Sequence, residues 1–242
     1  STEMNSYVMQ NVLSGANPGD ILRAEYSKLR GWMMADISEP ISTGMPNLDL
    51  KNTSKWDPTL SKFLMRNGKT YAVGGSDLIP DGEVLFFNAS LLKERNLTSP
   101  YDLYNQNKWT WQAFKDLLVK TTIDTNGDKT PDIYGLGYTN WATLHFETPF
   151  SMTNGKNVVT YDAKGKGIFN GTAPNVLESL EFVQGLKDQK VVYPNLPGDN
   201  SATAKAFGER KFAFMIHQFV VVSNKNMTNM KDDFGVVPLP KG

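Results

Sequence analysis

The stretch from Gly68 to Gly137 does most to limit what this chain can become. GKTYAV leads into GGSDLIPDG, which is rich in turn-forming residues, and then at once into the apolar run VLFFN. A helical stretch follows, then WTWQAFKDLLVKTT, the acidic loop DTNGDKTPD and the apolar IYGLGY. Short apolar runs of strand length, alternating with amphipathic stretches of helix length, are the pattern of α/β layering with mainly parallel strands.

The rest of the chain repeats that alternation. Apolar residues at Met4, Val8, Met9 and Val12 have helical spacing, and Gly15 suits a helix end. DILRA (residues 20–24) reads as a short strand, Tyr26 to Met34 as a helix, Ser42 to Asn52 as loop and Pro58 to Met65 as a short helix. Thr70 to Val73 and Val84 to Asn88 read as strands, and Ala89 to Arg95 as the helix after the second. Thr110 is placed to cap a helix whose apolar stripe is Trp111, Phe114, Leu117 and Leu118. Pro174 opens a long helix with Val176, Leu177, Leu180, Val183 and Leu186 on one face. Ile133 to Tyr138, Phe212 to Ile216 and Phe234 to Val237 are buried-strand candidates, and Ser201 to Glu209 is a short helix. No repeat of fixed period is present, which argues against a solenoid or propeller.

Composition narrows function. The 242 residues carry no net charge, and nothing in them suggests a nucleic-acid surface, which would need a basic face. With no cysteine, disulfides, thiolate zinc sites and thiol catalysis are excluded. No apolar run approaches the roughly 20 residues needed to span a bilayer. The two histidines, His145 and His217, are far apart, and HExxH, GxSxG and P-loop motifs are absent.

The acidic loop has oxygen-bearing residues at alternate positions: Asp124, Asn126, Asp128, Thr130 and Asp132. That spacing can wrap a hard cation such as Ca2+, with Thr130 offering a backbone carbonyl. Gly127 and Gly135 do not fall where an EF-hand loop has its glycine and its closing glutamate. The other reading is a turn in which the Asp and Asn side chains cap local backbone amides. Either role is structural. Trp141 follows YGLGYT at the carboxyl end of a strand, where open α/β sheets bind ligands. A tryptophan face suits the apolar face of a sugar ring, and Asn140 beside it could hold a hydroxyl.

The order of these pieces resembles the extracellular solute-binding proteins of ABC importers, the carbohydrate-binding group that includes maltose-binding protein. VLSGANPGDIL with GWMMADIS (Val12 to Ser38), and AFGERKFAFMIHQF with DFGVVPLPKG (Ala206 to Gly242), extend the resemblance over nearly the whole chain. The resemblance implies a two-lobed α/β architecture of the periplasmic-binding-protein kind. It places a partial first lobe and hinge crossing at 1–80, a mostly complete second lobe at 81–235 and a returning hinge strand at 236–242. It also implies that the sequence is an internal fragment of a longer exported protein, periplasmic or a cell-surface lipoprotein, monomeric at full length.

The implied function is capture of a sugar or oligosaccharide between two lobes and its delivery to membrane permease subunits, without catalysis. The implied ligand residues are Trp141 and Asn140, Asp81 with Asp77 or Glu83 as substitutes, His217, Gln218 and Phe219, and Glu25 and Tyr26 in the first lobe. Trp109 and Trp111 match the family's tryptophan at a helix start and are expected to pack. A carbohydrate-active enzyme and a calcium-stabilised interaction domain are the alternative functions.

Overall fold

The computed structural model describes residues 2–75, 82–139, 143–162 and 166–242. The chain divides into two units, Ser1–Pro80 with Tyr161–Gly167, and Asp81–Thr160 with Ile168–Gly242. In the second unit VLFFN becomes strand β3 (Glu83–Asn88), and KFAFMIHQ supplies β7 (Phe212–Gln218). With β4 (Tyr134–Gly137) and β8 (Phe234–Val237) they form one sheet in the order β4-β7-β3-β8. The two interior strands are built on unbroken apolar runs, VLFF and FAFMI, as burial on both faces requires. β4 runs parallel to β7, whereas β3 runs antiparallel to both β7 and β8. The sheet is therefore mixed, and the expectation of mainly parallel strands is corrected by β3.

Helices cover both faces. On one side lie α5 (Ala89–Glu94), α6 (Pro100–Asn105), α7 (Trp111–Thr121), α8 (Thr143–Thr153) and α9 (Pro174–Asp188). There Leu85, Phe87, Phe114, Leu118, Phe150, Val183 and Phe214 share one buried cluster. On the other side lie α10 (Asn200–Gly208), a 3-10 turn (Phe219–Ser223) and α11 (Lys225–Thr228), whose Phe207, Val221 and Met227 pack with Phe86, Phe212 and Met215. Thr110 caps α7 by accepting from the Ala113 amide at 3.3 Å. Trp109 and Trp111 are packing residues. The Trp109 indole donates to the Pro238 carbonyl at 2.8 Å, and Trp111 stacks on Phe182 with centroids 4.5 Å apart. Val237 pairs with Leu85, and Lys241 exchanges backbone hydrogen bonds with Trp109 and Trp111, so the end of the chain packs within this unit.

The long helix shows where periodicity misleads. Its buried residues are Val176, Ser179, Val183 and Leu186, while Leu177 and Leu180 keep 44% and 41% of their surface exposed. Val176, Val183 and Leu186 thus face the core as expected, and Ser179 joins them in place of Leu177 and Leu180. Ser179 tolerates burial because its hydroxyl returns to the Val176 carbonyl at 2.6 Å.

One ionic network ties α5 to both ends of the sheet's return path. Arg210 donates to Asp232 through Nε at 2.6 Å and Nη2 at 2.7 Å, and to both Glu94 carboxylate oxygens. Buried Asn88 donates to Asp232 at 2.7 Å and caps α5 by accepting from the Leu91 amide. The Arg210 hydrogen bonds hold the Asp232 carboxyl below the usual carboxylate range, although burial pulls the other way. A carboxyl with a depressed folded value stabilises the fold above its unfolded value, and the contribution is lost as pH falls through the folded value. Asp232→Asn is therefore expected to cost roughly 1.5–3 kcal/mol at neutral pH, the range for hydrogen bonds to charged groups. The gap should close toward about pH 2, where the wild-type carboxyl is protonated too. Urea unfolding at both pH values checks this, and an unchanged gap would contradict it.

The first unit is built from short elements: α1 (Thr2–Leu13), α2 (Tyr26–Met34), α3 (Ile41–Gly44), α4 (Pro58–Phe63) and the two-residue strands β1 (Met65–Arg66) and β2 (Lys69–Thr70). A hairpin of β5 (Val159–Tyr161) and β6 (Gly167–Phe169) spans the sequence boundary of the two units. DILRA forms no strand, and Thr70 to Val73 shrinks to β2. A strand needs an edge to pair with, and among the described residues none accepts the backbone of residues 20–24. The Trp32 indole is anchored on Asn5 at 2.9 Å, and Arg66 joins the Met33 carbonyl to Asp36. Among the described residues of this unit, the buried apolar side chains are Val8, Trp32, Met33 and Leu64.

Candidate ligand-binding site

β4, β7 and β8 all end at one edge of the second unit's sheet, where antiparallel β3 begins. Open α/β sheets bind ligands at the carboxyl ends of their strands, so this is the edge to build from. Val84 pairs with His217, Glu83 pairs with Gln218, and the Phe219 amide donates to the Gly82 carbonyl at 3.1 Å. Three expected ligand residues and the substitute carboxylate Glu83 are thereby brought together. His217 is buried, with Nδ1 3.2 Å from the Gln218 carbonyl, and Phe219 is half-buried against the cluster around Phe86. Gln218 is half-buried and ends the strand.

Beside them, β4 continues into buried Tyr138 and Thr139. Thr203 donates its hydroxyl to the Asp199 carbonyl at 2.9 Å, which leaves Thr139 the donor in the 2.9 Å contact between the two hydroxyls. Asn200 Oδ1 lies 3.4 Å from the same Thr139 hydroxyl. Asp199 caps α10 through the Ala202 amide at 2.7 Å. The end of β4 is thus tied to the first turn of α10, and the chain leaves this anchor toward residue 140. Thr139, Asn200 and Thr203 carried no functional signal in sequence, although the cap signature D-N-S-A was readable. Trp141, Asn140, Asp81 and Asp77 lie outside the described residues.

Glu25 and Tyr26 belong to the first unit. Glu25 occupies the cap position of α2 without a side-chain cap bond. It borders an open pocket of about 440 Å³ with Asn5, Arg23, Lys28 and Trp32. Tyr26 meets Phe63 edge-on, with centroids 5.7 Å apart. Burial raises its phenol above the ordinary value, and the neighbouring Arg30 guanidinium opposes the shift.

In the acidic loop the carboxylates face backbone amides. Asp124 accepts from Gly127 at 2.7 Å and Lys129 at 2.8 Å, and Asp132 accepts from Thr125 at 2.7 Å. Asn126 accepts from the Asp128 amide, and Asp128 from Thr130. These bonds are the ones the local-capping alternative requires. The hydrogen bond from the Gly127 amide does most to hold the Asp124 carboxyl below the usual range, and the Thr125 hydroxyl does the same for Asp132. Among the described residues no group of three or more His, Cys, Asp or Glu side chains is placed to hold a metal ion.

The family described as bacterial extracellular solute-binding protein matches residues 8–242. No curated protein sequence matches the chain. Among solved structures, the maltose/maltodextrin-binding domain MalE from Bdellovibrio bacteriovorus, bound to maltotriose, matches with a TM-score of 0.66 and 23% identity, over 99% of this chain and 55% of that one. The GacH receptor of Streptomyces glaucescens, solved unliganded and with acarbose, matches with a TM-score of 0.65 and 19% identity, over 100% of this chain and 57% of that one. An ABC transporter solute-binding protein from Agrobacterium vitis with bound D-mannitol gives a TM-score of 0.59 and 18% identity, over 99% of this chain and 54% of that one. The chain spans a little over half the length of these structures, and their fold is that of two-lobed binding proteins, here with one lobe partial.

Proposed function

The chain belongs to the bacterial extracellular solute-binding proteins, and from that premise we infer that it binds a sugar or oligosaccharide for an ABC importer. The family match over residues 8–242 carries this reading. The relatives solved with maltotriose, acarbose and D-mannitol narrow the ligand class to carbohydrates and related polyols. The reading places the protein outside the cytoplasm, hands the sugar to permease subunits and assigns no reaction to any residue.

The edge where β4 and β7 end and β3 begins gives this function its physical basis in the second unit. Gln218 and Glu83 sit as a cross-strand pair at that edge, an amide that can donate to or accept from a sugar hydroxyl beside a carboxylate that accepts. Trp141 is assigned the stacking role, with Asn140 and Asp81 as its polar companions. Ligand sites of this kind combine apolar faces with a few placed polar groups.

A melting screen of the 242-residue chain against maltotriose, maltose, acarbose and D-mannitol tests the reading. A ligand that binds only the folded state raises stability by about 2.7 kcal/mol at a hundredfold excess over its dissociation constant. A rise with at least one of these compounds, with the compound recovered intact, is the expected result. No rise with any of them, or release of hydrolysis products, would count against it.

A further inference from the structure

The chain has four Asn-Gly pairs, at Asn67, Asn126, Asn154 and Asn170. In such a pair the main chain can attack the asparagine's own side chain, because no Cβ crowds the glycine nitrogen. The reaction needs two groups at liberty. The asparagine side-chain amide must be free to swing over the main chain, and the glycine amide nitrogen must be free to meet it. The four pairs share this chemistry, and the fold treats them differently.

Three of them are held. In the acidic loop, Asn126 Oδ1 accepts from the Asp128 amide at 2.9 Å, and the Gly127 amide donates to Asp124 at 2.7 Å. After α8, Asn154 donates through Nδ2 to the Asn175 carbonyl and to Glu178, both at 2.9 Å. The Gly155 amide beside it donates to the Met152 carbonyl at 3.0 Å. After β6, Asn170 donates to the Asn157 carbonyl at 3.0 Å and the Thr160 hydroxyl at 3.1 Å. The Phe169 ring fills the space where a Cβ of Gly171 would stand.

The fourth pair is held by nothing comparable. Asn67 and Gly68 form the two-residue loop between β1 and β2, whose register sets Arg66 opposite Lys69. Their φ values, 52° and 73°, are the type I′ hairpin pattern that asparagine and glycine suit. Both residues are exposed. Among the described residues, neither the Asn67 side chain nor the Gly68 amide has a hydrogen-bond partner. A Cβ at Gly68 would meet nothing within 4 Å, so the side chain has room to turn. The strands that carry the loop are two residues each, so little packing resists its opening.

We propose that Asn67 is the site at which this protein deamidates, a modification site made by the exposed hairpin loop. The Gly68 nitrogen gives its proton to solvent hydroxide and bonds to the Asn67 Cγ. The Cγ–Nδ2 bond breaks, and ammonia leaves with a proton taken from water. Water then opens the cyclic imide at either carbonyl, which leaves aspartate or isoaspartate at position 67. No oxidant, reductant or protein catalyst enters. Aspartate also suits the loop and sets a carboxylate between Arg66 and Lys69. Isoaspartate adds a methylene to the main chain, which a two-residue loop cannot absorb while keeping Arg66 opposite Lys69. Arg66 donates to the Met33 carbonyl and to Asp36, so that product loosens the hairpin's hold on the end of α2.

Peptide mapping by mass spectrometry of the 242-residue chain, aged at mildly alkaline pH in buffer and in parallel in guanidinium chloride, tests the proposal. In buffer, product should accumulate at Asn67. Each of the other pairs should react at least roughly fivefold more slowly, the equilibrium weight of one hydrogen bond that must open first. In guanidinium chloride the four rates should converge, since every one of these asparagines precedes glycine and the fold no longer separates them. Asn67 reacting in buffer no faster than Asn126, Asn154 or Asn170 would overturn the proposal. So would a lead at Asn67 that persists unchanged in the denaturant, because the sequence around it and not the hairpin would then set the rate.

Discussion

Phe214→Ala is expected to destabilise the second unit by roughly 3–5 kcal/mol, the range for emptying a fully buried phenylalanine site. Phe214 lies in β7, one of the two interior strands, and has no solvent exposure. Its ring meets Phe114 edge-on with centroids 5.7 Å apart and Phe87 at 6.4 Å, so it joins α7 to β3 across the sheet. Such aromatic pairs add about 0.5–1.5 kcal/mol beyond the area they bury. Interior strands cannot collapse onto the vacated volume without breaking ladder hydrogen bonds on both sides, which keeps the cost near the upper end of the range. Urea unfolding followed by far-ultraviolet circular dichroism reads it as a lower midpoint with an unchanged slope. A loss under about 1 kcal/mol, the scale of an ordinary surface change, would mean that this core is not packed as described.

Gly135→Ala should be nearly as damaging, for a different reason. A Cβ at Gly135 would stand 2.5 Å from the Leu118 carbonyl oxygen and 2.8 Å from its Cα. Those are backbone atoms of α7, so no side-chain rotation relieves the clash, and the helix must move off β4. The expected cost is about 3 kcal/mol or more, at the top of the overpacking range. Gly137→Ala meets the fully buried Phe212 ring instead, at 2.4 Å, a side chain rather than backbone. Its cost should be the smaller of the two, within about 1–3 kcal/mol. Gly185 lies within α9, and a Cβ there meets nothing within 4 Å, so Gly185→Ala should stabilise by roughly 0.5–1 kcal/mol. Thermal unfolding of the three variants should give that order, and a Gly135→Ala variant as stable as wild type would show that α7 does not pack this closely on β4.

The parts of the fold that could be read from sequence are those where one signal dominates. VLFFN and KFAFMI are buried on both faces, so their uninterrupted apolar character points to strands without help from neighbours. Thr110 and the stripe of Phe114, Leu117 and Leu118 fix α7 from cap to core. In the long helix Val176, Val183 and Leu186 face the core as their spacing suggests, but Leu177 and Leu180 do not. Leu177 and Leu180 are as apolar as the residues beside them, and only the packed sheet selects the row that includes Ser179 instead. The direction of β3 was equally hidden, because a strand's own residues do not say which way its partners run. DILRA has strand composition, yet pairing is a property of two segments, and composition describes one.

The candidate site divides in the same way. His217, Gln218 and Phe219 were singled out because they follow a buried apolar run, and that adjacency survives folding as the pairing of His217 with Val84 and Gln218 with Glu83 and the Phe219 amide's hydrogen bond to Gly82. Thr139, Asn200 and Thr203 come together from positions about sixty residues apart in sequence, a juxtaposition that no local pattern encodes. The acidic loop illustrates one spacing with two meanings. Carboxylates at alternate positions can face inward to a cation or fold back onto their own amides, and the observed hydrogen bonds are of the second kind. In the first unit, Tyr26 was expected among the ligand residues, while Tyr161 reaches Arg30, one helical turn from Tyr26, only through a contact across 131 positions.

Calorimetric titration of wild-type protein and Trp141→Ala with the carbohydrate that most raises melting tests the central claim most directly. The account predicts saturable one-to-one binding by the wild type and at least roughly tenfold weaker binding by the variant, with melting in the absence of sugar little changed. Equal affinity in the two proteins would remove Trp141 from the site, and the absence of saturable heat in the wild type would contradict the assignment of carbohydrate binding to this chain.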